Sequence, residues 1–201
     1  ISKQSPNFCA DDCHFQLPAD ALSAILQFAL VLGTSYSQTK PIIRPFCQRP
    51  ATMTANFQFA DQMDVAGKAV LLRLDVNVPL ADGVVSDDTR IRRVMPGVQS
   101  LLVRGAKVVV LTHFGRPKGA FVPALTVRPV AQSMAGILGQ PVPVESDVIG
   151  PGGKKAVAAL ASGDILMMEN LRFYPEEEAN DLAFAKSLAA LGDLYVGDAF
   201  S

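Results

Sequence analysis

Four short runs of β-branched and leucine-rich residues alternate with segments whose apolar residues recur at helical spacing, and this rhythm constrains the fold more than any other feature of the chain. The runs are Ala69 to Leu74 (AVLLRL), Lys107 to Leu111 (KVVVL), Ile165 to Met168 (ILMM) and Leu194 to Val196 (LYV). Apolar runs of this length read as strands buried on both faces. Strands that alternate with helices build a parallel sheet covered on both sides. The expected fold is therefore α/β, a three-layer, Rossmann-like domain around a parallel sheet. Val142 to Val144 offers one further short strand. Asp87 or Asp88 is placed to cap a helix through Arg93, which Pro96 is expected to interrupt before Val98 to Val103. Pro129 suits a first helical turn, with Val130, Met134, Ile137 and Leu138 on one apolar face and Gly139 as its end. Asp181 is expected to start another helix, with Leu182, Ala185, Leu188 and Ala189 inward and Gly192 as its stop.

The chain divides near Pro50 to Met53. All three cysteines (Cys9, Cys13, Cys47) lie in residues 1–52, and 53–201 contain none. The apolar stretch from Ala21 to Gly33 is shorter than the ~18 residues of a membrane span. It follows Asp11, Asp12 and Asp20 rather than a basic region, which argues against a secretory signal. Cys9-x3-Cys13-His14 matches neither haem attachment nor a zinc site with a second ligand pair. Residues 1–52 are expected to be a leader or non-native segment without catalytic function, and 53–201 the working α/β domain. With 49% hydrophobic residues the chain can bury a core, and a formal net charge of −1 leaves no cationic excess for coating nucleic acid.

In open parallel sheets ligands bind outside the carboxyl ends of the strands. The first run is followed by Asp75-Val76-Asn77, the second by Thr112-His113-Phe114-Gly115-Arg116, the third by Glu169-Asn170-Leu171-Arg172 and the fourth by Gly197-Asp198-Ala199-Phe200. Arg116 and Arg172 can grip phosphate or carboxylate through two parallel hydrogen bonds, and His113 adds a donor. Asp75 and Asn77 suit the hydroxyl or amide groups of a small polar metabolite. Each residue also has a plain alternative: Asp75 as an arginine's partner, His113 as a structural imidazole, and Glu176-Glu177-Glu178 as a solvated face or helix start. Gly150-Pro151-Gly152-Gly153-Lys154-Lys155 departs from the phosphate-loop pattern because Ala156 follows the lysines.

The strings LLRLDVNVPL (71–80), SDDTRIRRVMP (86–96), LTHFGRPKG (111–119), MMENLRFYPEEEAND (167–181) and LYVGDAFS (194–201) resemble the N-terminal domain of phosphoglycerate kinases, in order and from about Asp64 onward. The resemblance implies one half of a two-domain glycolytic kinase that transfers a phosphoryl group between 1,3-bisphosphoglycerate and ADP, giving 3-phosphoglycerate and ATP with Mg2+. By the same resemblance, Asp75, Val76 (through its backbone) and Asn77 hold the hydroxyl and carboxylate end of the substrate. His113, Arg116 and Arg172 hold its 3-phosphate, and Phe114 and Gly115 shape the loop. Arg90 is the implied catalytic residue that approaches the transferred group. Gly197 stands where the family usually has Asn, which removes a side-chain hydrogen bond near the site. ATP or ADP with Mg2+ is expected on a C-terminal domain beyond Ser201, so this chain by itself is expected to be inactive. The setting expected is a cytoplasmic monomer without nucleic-acid or membrane partners. The alternative is a stand-alone phosphoglycerate-binding module without catalysis.

Overall fold

A computed structural model of the protein describes residues 60–199. The expectations for residues 1–52 and their boundary, and for Phe200, lie outside the described residues. In chain order the elements are β1 (Ala69–Leu74), β2 (Leu80–Ala81), β3 (Val84–Val85), α1 (Thr89–Val103), β4 (Lys107–Leu111), α2 (Arg128–Leu138), β5 (Val144–Glu145), α3 (Pro151–Ala158), β6 (Ile165–Met168), α4 (Pro175–Glu178), α5 (Leu182–Ala189) and β7 (Leu194–Asp198). Five strands form a parallel sheet in the order β5-β6-β4-β1-β7.

Strand alternation distributes the side chains to two cores. Val70, Leu72, Leu74, Val108, Val110 and Val196 face α1 and α2, where they meet Ile91, Val98, Val130 and Met134. Leu71, Val109, Leu111, Leu166 and Met168 face the other way, onto Val157 of α3 and, through the partly buried Leu188, α5. The fold is thus the expected three-layer α/β domain. Each fully buried Leu, Val or Met contributes about 1.5–3 kcal/mol of transfer free energy, which is why the apolar runs dictate the layers. Among the described residues no helix is long and apolar enough to cross a membrane.

Several local expectations are corrected. Pro96 does not interrupt the helix: α1 runs unbroken through it. The hydrogen bond a proline cannot donate would go to the Arg92 carbonyl, and both residues sit on the exposed side, while Ile91, Val94, Met95, Val98 and Leu101 keep one continuous buried stripe. Asp87, rather than the N-cap residue Asp88, accepts from Thr89 N–H at 2.9 Å. Leu182 is exposed and Phe184 takes the inward place, because Asp181 caps α5 through Phe184 N–H and so sets its rotation. The helix ends at Ala189, before Gly192, which instead packs closely against Leu71. The β2–β3 hairpin had a readable signal in Asp82-Gly83, both at positive φ (51° and 77°), the pairing a tight primed turn requires.

A candidate anion site at three strand ends

The end of β1 is shaped by its own side chains. Val76 is fully buried in the core, backbone and side chain together. Asp75 Oδ1 accepts from Asn77 N–H at 3.2 Å, closing a local turn. Arg90, in the first turn of α1, reaches back to Asp75 Oδ2 at 3.3 Å and the Asn77 carbonyl at 3.4 Å.

The loop after β4 is tied to this turn and to the end of β6. Thr112 Oγ1 donates to the Leu74 carbonyl at 3.0 Å, and Asn77 Oδ1 accepts from Gly115 N–H at 3.2 Å. Gly115 adopts φ +61°, a conformation that favours glycine, and a Cβ there would also push the end of the Leu125 side chain aside. Asn170, fully buried, stitches the strand ends together. Its Oδ1 accepts from Phe114 N–H (3.0 Å) and Arg172 N–H (3.1 Å), and its Nδ2 donates to the carbonyls of Phe114 (2.7 Å) and Leu125 (2.9 Å). Glu169, also buried, accepts from Val127 N–H and Asn170 N–H at 2.9 Å each and from Thr126 Oγ1 at 2.7 Å.

These bonds place His113, Arg172 and Arg73 around one another. Arg172 donates through Nη1 to the Gly115 carbonyl at 3.3 Å. Its buried Nε has no hydrogen-bond partner and faces Glu177 and Glu178 at 3.6 and 3.7 Å. His113 Nδ1 is likewise buried without a hydrogen bond. Burial, and then the guanidiniums of Arg172 and Arg73, push the His113 imidazole below its ordinary pKa, against the opposing pull of Asp75 and Glu177. His113 thus stands among two guanidiniums, Arg73 and Arg172, and two carboxylates, Asp75 and Glu177. Arg116 is exposed and makes no ion pair among the described residues.

Asp75, Asn77, His113, Gly115 and Arg172 therefore come together from three strand ends, joined by Arg90 from the first turn of α1, with Val76 and Phe114 beneath them as core anchors. The fourth end does not join them: Asp198 faces Gly97 of α1 instead. Gly197 lies beside Arg73 in register, and the space over it leads to the Tyr195 ring. The glutamate run is only partly solvated, because Glu177 is drawn into the cluster by Arg73 at 2.8 Å. Asn170, Glu169, Arg73 and Glu177 are the contributors that sequence reasoning missed. The glycine-rich stretch at 150–155 is no phosphate cradle, since Asp147 already accepts from Gly150 N–H (2.9 Å) and Gly152 N–H (2.7 Å) at the start of α3.

Fold and site together define a parallel α/β domain with a histidine and several arginines gathered at its strand ends. Comparison with known proteins is more specific. The chain belongs to the phosphoglycerate kinase family, whose profile matches residues 60–201. A phosphoglycerate kinase from a Ruegeria species is 55% identical over 141 residues, covering 70% of this chain and 36% of that protein. One from Rhodopseudomonas palustris is 52% identical over 149 residues, covering 74% and 37%. Among solved structures, the phosphoglycerate kinase of Coxiella burnetii superposes with a TM-score of 0.64 at 33% identity, covering 70% of this chain and 35% of that one. That of Pyrococcus horikoshii gives 0.63 at 32% identity, covering 70% and 36%. The chain thus spans little more than a third of the length of these relatives.

Proposed function

We propose that residues 53–201 form the phosphoglycerate-binding half of a phosphoglycerate kinase. The reaction of the whole is reversible phosphoryl transfer: the bond between the acyl oxygen and phosphorus of 1,3-bisphosphoglycerate breaks, and a bond from that phosphorus to the terminal oxygen of ADP forms. The observation that carries this reading is the convergence of Asp75 and Asn77, of His113 and of Arg172 from three separate strand ends onto one basic cluster. Phosphoryl transfer depends chiefly on positioning and on neutralising charge. His113, Arg116 and Arg172 hold the 3-phosphate, and Asp75 with the side chain of Asn77 orients the hydroxyl and carboxylate end. Arg90, held beside Asp75, is the residue closest in chemistry to a stabiliser of the transferred group. No group of three or more His, Cys, Asp or Glu among the described residues could hold a metal ion. The amides at 150 and 152 are taken by Asp147. ATP or ADP with Mg2+ belongs on the portion of the family's length that this chain does not span.

Calorimetric titration of the chain with 3-phosphoglycerate tests the assignment. Arg116→Ala is expected to weaken binding by about 2 kcal/mol, some thirtyfold. Unchanged affinity refutes the placement of the phosphate.

A further inference from the structure

Glu177 sits between two arginines contributed by different elements. Its Oε1 accepts from Arg73 Nη2 at 2.8 Å, and its Oε2 stands 3.6 Å from Arg172 Nε. The side chains of Arg73, Arg172 and Glu177 are 19%, 27% and 17% exposed, so the trio is held largely out of water. Neighbouring Glu178 is 48% exposed and stands 3.7 Å from Arg172 Nε. Arg73 leaves β1 and Arg172 leaves the turn after β6, and both lie close enough to His113 to depress its protonation. Two guanidiniums flanking one imidazole repel each other. A carboxylate with one oxygen toward each cancels that repulsion and sets their separation.

We propose that Glu177 is a positioning residue of the anion site, holding Arg73 and Arg172 as a pair beside His113 so that the Nη protons of Arg172 left over from the Gly115 carbonyl meet the ligand's phosphate. The proposal rests on reading the cluster as a phosphoglycerate site. It has a consequence of unusual sign. A negative charge next to an anion site repels the ligand, so electrostatics alone makes its removal tighten binding. If Glu177 acts by holding the arginines, its removal loosens binding instead.

The test is calorimetric titration of the 201-residue chain with 3-phosphoglycerate, for wild type, Glu177→Gln, Glu177→Asp and Glu178→Gln, with the His113 titration followed by proton NMR. Glu177→Gln is expected to weaken binding about tenfold or more, and Glu178→Gln less than twofold. Glu177→Asp retains the charge but is one methylene short of spanning both arginines, so it is expected in between, and it keeps the test available where the glutamine variant does not fold. The groups facing His113 are Arg73 and Asp75 at the end of β1, Arg172 after β6 and Glu177 on α4. Loss of Glu177 with both arginines fixed lowers the His113 pKa further. Arginines that drift away raise it, which is the expected result. Equal or tighter binding by Glu177→Gln, or wild-type affinity in Glu177→Asp, overturns the positioning role while leaving the site reading intact. A wild-type chain that binds neither 3-phosphoglycerate nor inorganic phosphate overturns the site reading and the proposal with it.

Discussion

Replacing Asn170 by alanine removes four hydrogen bonds from a side chain with no solvent exposure. Two of the partners, the N–H and C=O of Phe114, belong to a buried residue, while Leu125 and Arg172 are half-buried and have water within reach. A buried polar group left without a partner costs about 1–3 kcal/mol, so the two Phe114 groups set a range of about 2–6 kcal/mol. The vacated space offers a water up to four polar partners, which recovers part of the loss. The expected destabilisation is therefore about 3 kcal/mol, a large share of the roughly 5–15 kcal/mol that holds a domain folded. Urea unfolding measures it: the midpoint falls while the slope stays constant. Binding of 3-phosphoglycerate weakens in parallel, because Phe114-Gly115-Arg116 and the turn carrying Arg172 lose their common tether. Asn170→Asp sharpens the test. The carboxylate keeps both accepting roles but points an anion at the carbonyls of Phe114 and Leu125, beside Glu169. Its folded-state pKa is thereby raised above its unfolded value, so the variant gains stability as pH falls through that raised pKa and the new O–H donates again. An Asn170→Ala chain within about 0.5 kcal/mol of wild type, with unchanged binding, would show that the packing of Phe114 alone holds the loop.

Three further outcomes are expected. Glu169→Gln should destabilise by about 1–3 kcal/mol in the same urea assay, since an amide cannot accept from Val127 N–H, Asn170 N–H and Thr126 Oγ1 together; an unchanged midpoint refutes the three-bond account. Gly197→Ala should stabilise by about 0.4–1 kcal/mol, raising Tm by about 1–4 °C, because the new Cβ meets the Tyr195 ring at an ordinary 3.5 Å and Gly197 has no positive φ; a lower Tm contradicts that geometry. His113, depressed by burial and by Arg172 and Arg73, is neutral at pH 7 when the site is free. Its unfolded form binds more protons, so it withdraws stability as pH falls below about 6.5. A bound phosphate favours the imidazolium, so calorimetry at pH 6.5 in buffers of different ionisation heat should show wild type taking up more protons on binding than His113→Gln; equal uptake removes His113 from the site.

The parallel sheet was legible because its central strands carry apolar residues on both faces: VVVL of β4 and ILMM of β6 allow few other readings, and β1, β4 and β6 have the bounds expected. The strand-end rule likewise singled out Asp75, Asn77, His113 and Arg172, which the fold brings to neighbouring strand ends. What escaped was whatever depends on partners distant in sequence. Nothing local distinguishes Asn170 from any polar residue after a strand; its importance lies in Phe114 and Leu125, 56 and 45 positions away. Glu177 reads as one of three solvated acids until Arg73, 104 positions earlier, is brought beneath it. Pro96 misled for the opposite reason, since the local rule is sound but yields where the proline's missing bond faces water. Asp198 shows the limit of the strand-end rule, because a strand's alternation can turn its last side chain to the other layer.

The strand order also sets a timetable. Among the described residues β1 is the first strand of the sheet to be synthesised, yet it lies inside it, between β4 and β7. Its β4 side closes early, through contacts such as Thr112 to Leu74 over 38 residues, whereas its β7 side waits for contacts such as Ala69 to Asp193 over 124. The longer closure costs only about 1 kcal/mol more in chain entropy. At roughly 5–20 residues per second, however, the ribosome takes roughly 6–25 s to supply those 124 residues. Throughout that interval the hydrogen-bonding edge of a largely apolar strand, with Arg73 as its one charged residue, has no native neighbour, and an open edge of this kind is a template for pairing with other chains. Leu194–Asp198 is the strand that covers this edge, so slow synthesis between β1 and β7 lengthens the time during which the edge is open to such pairing.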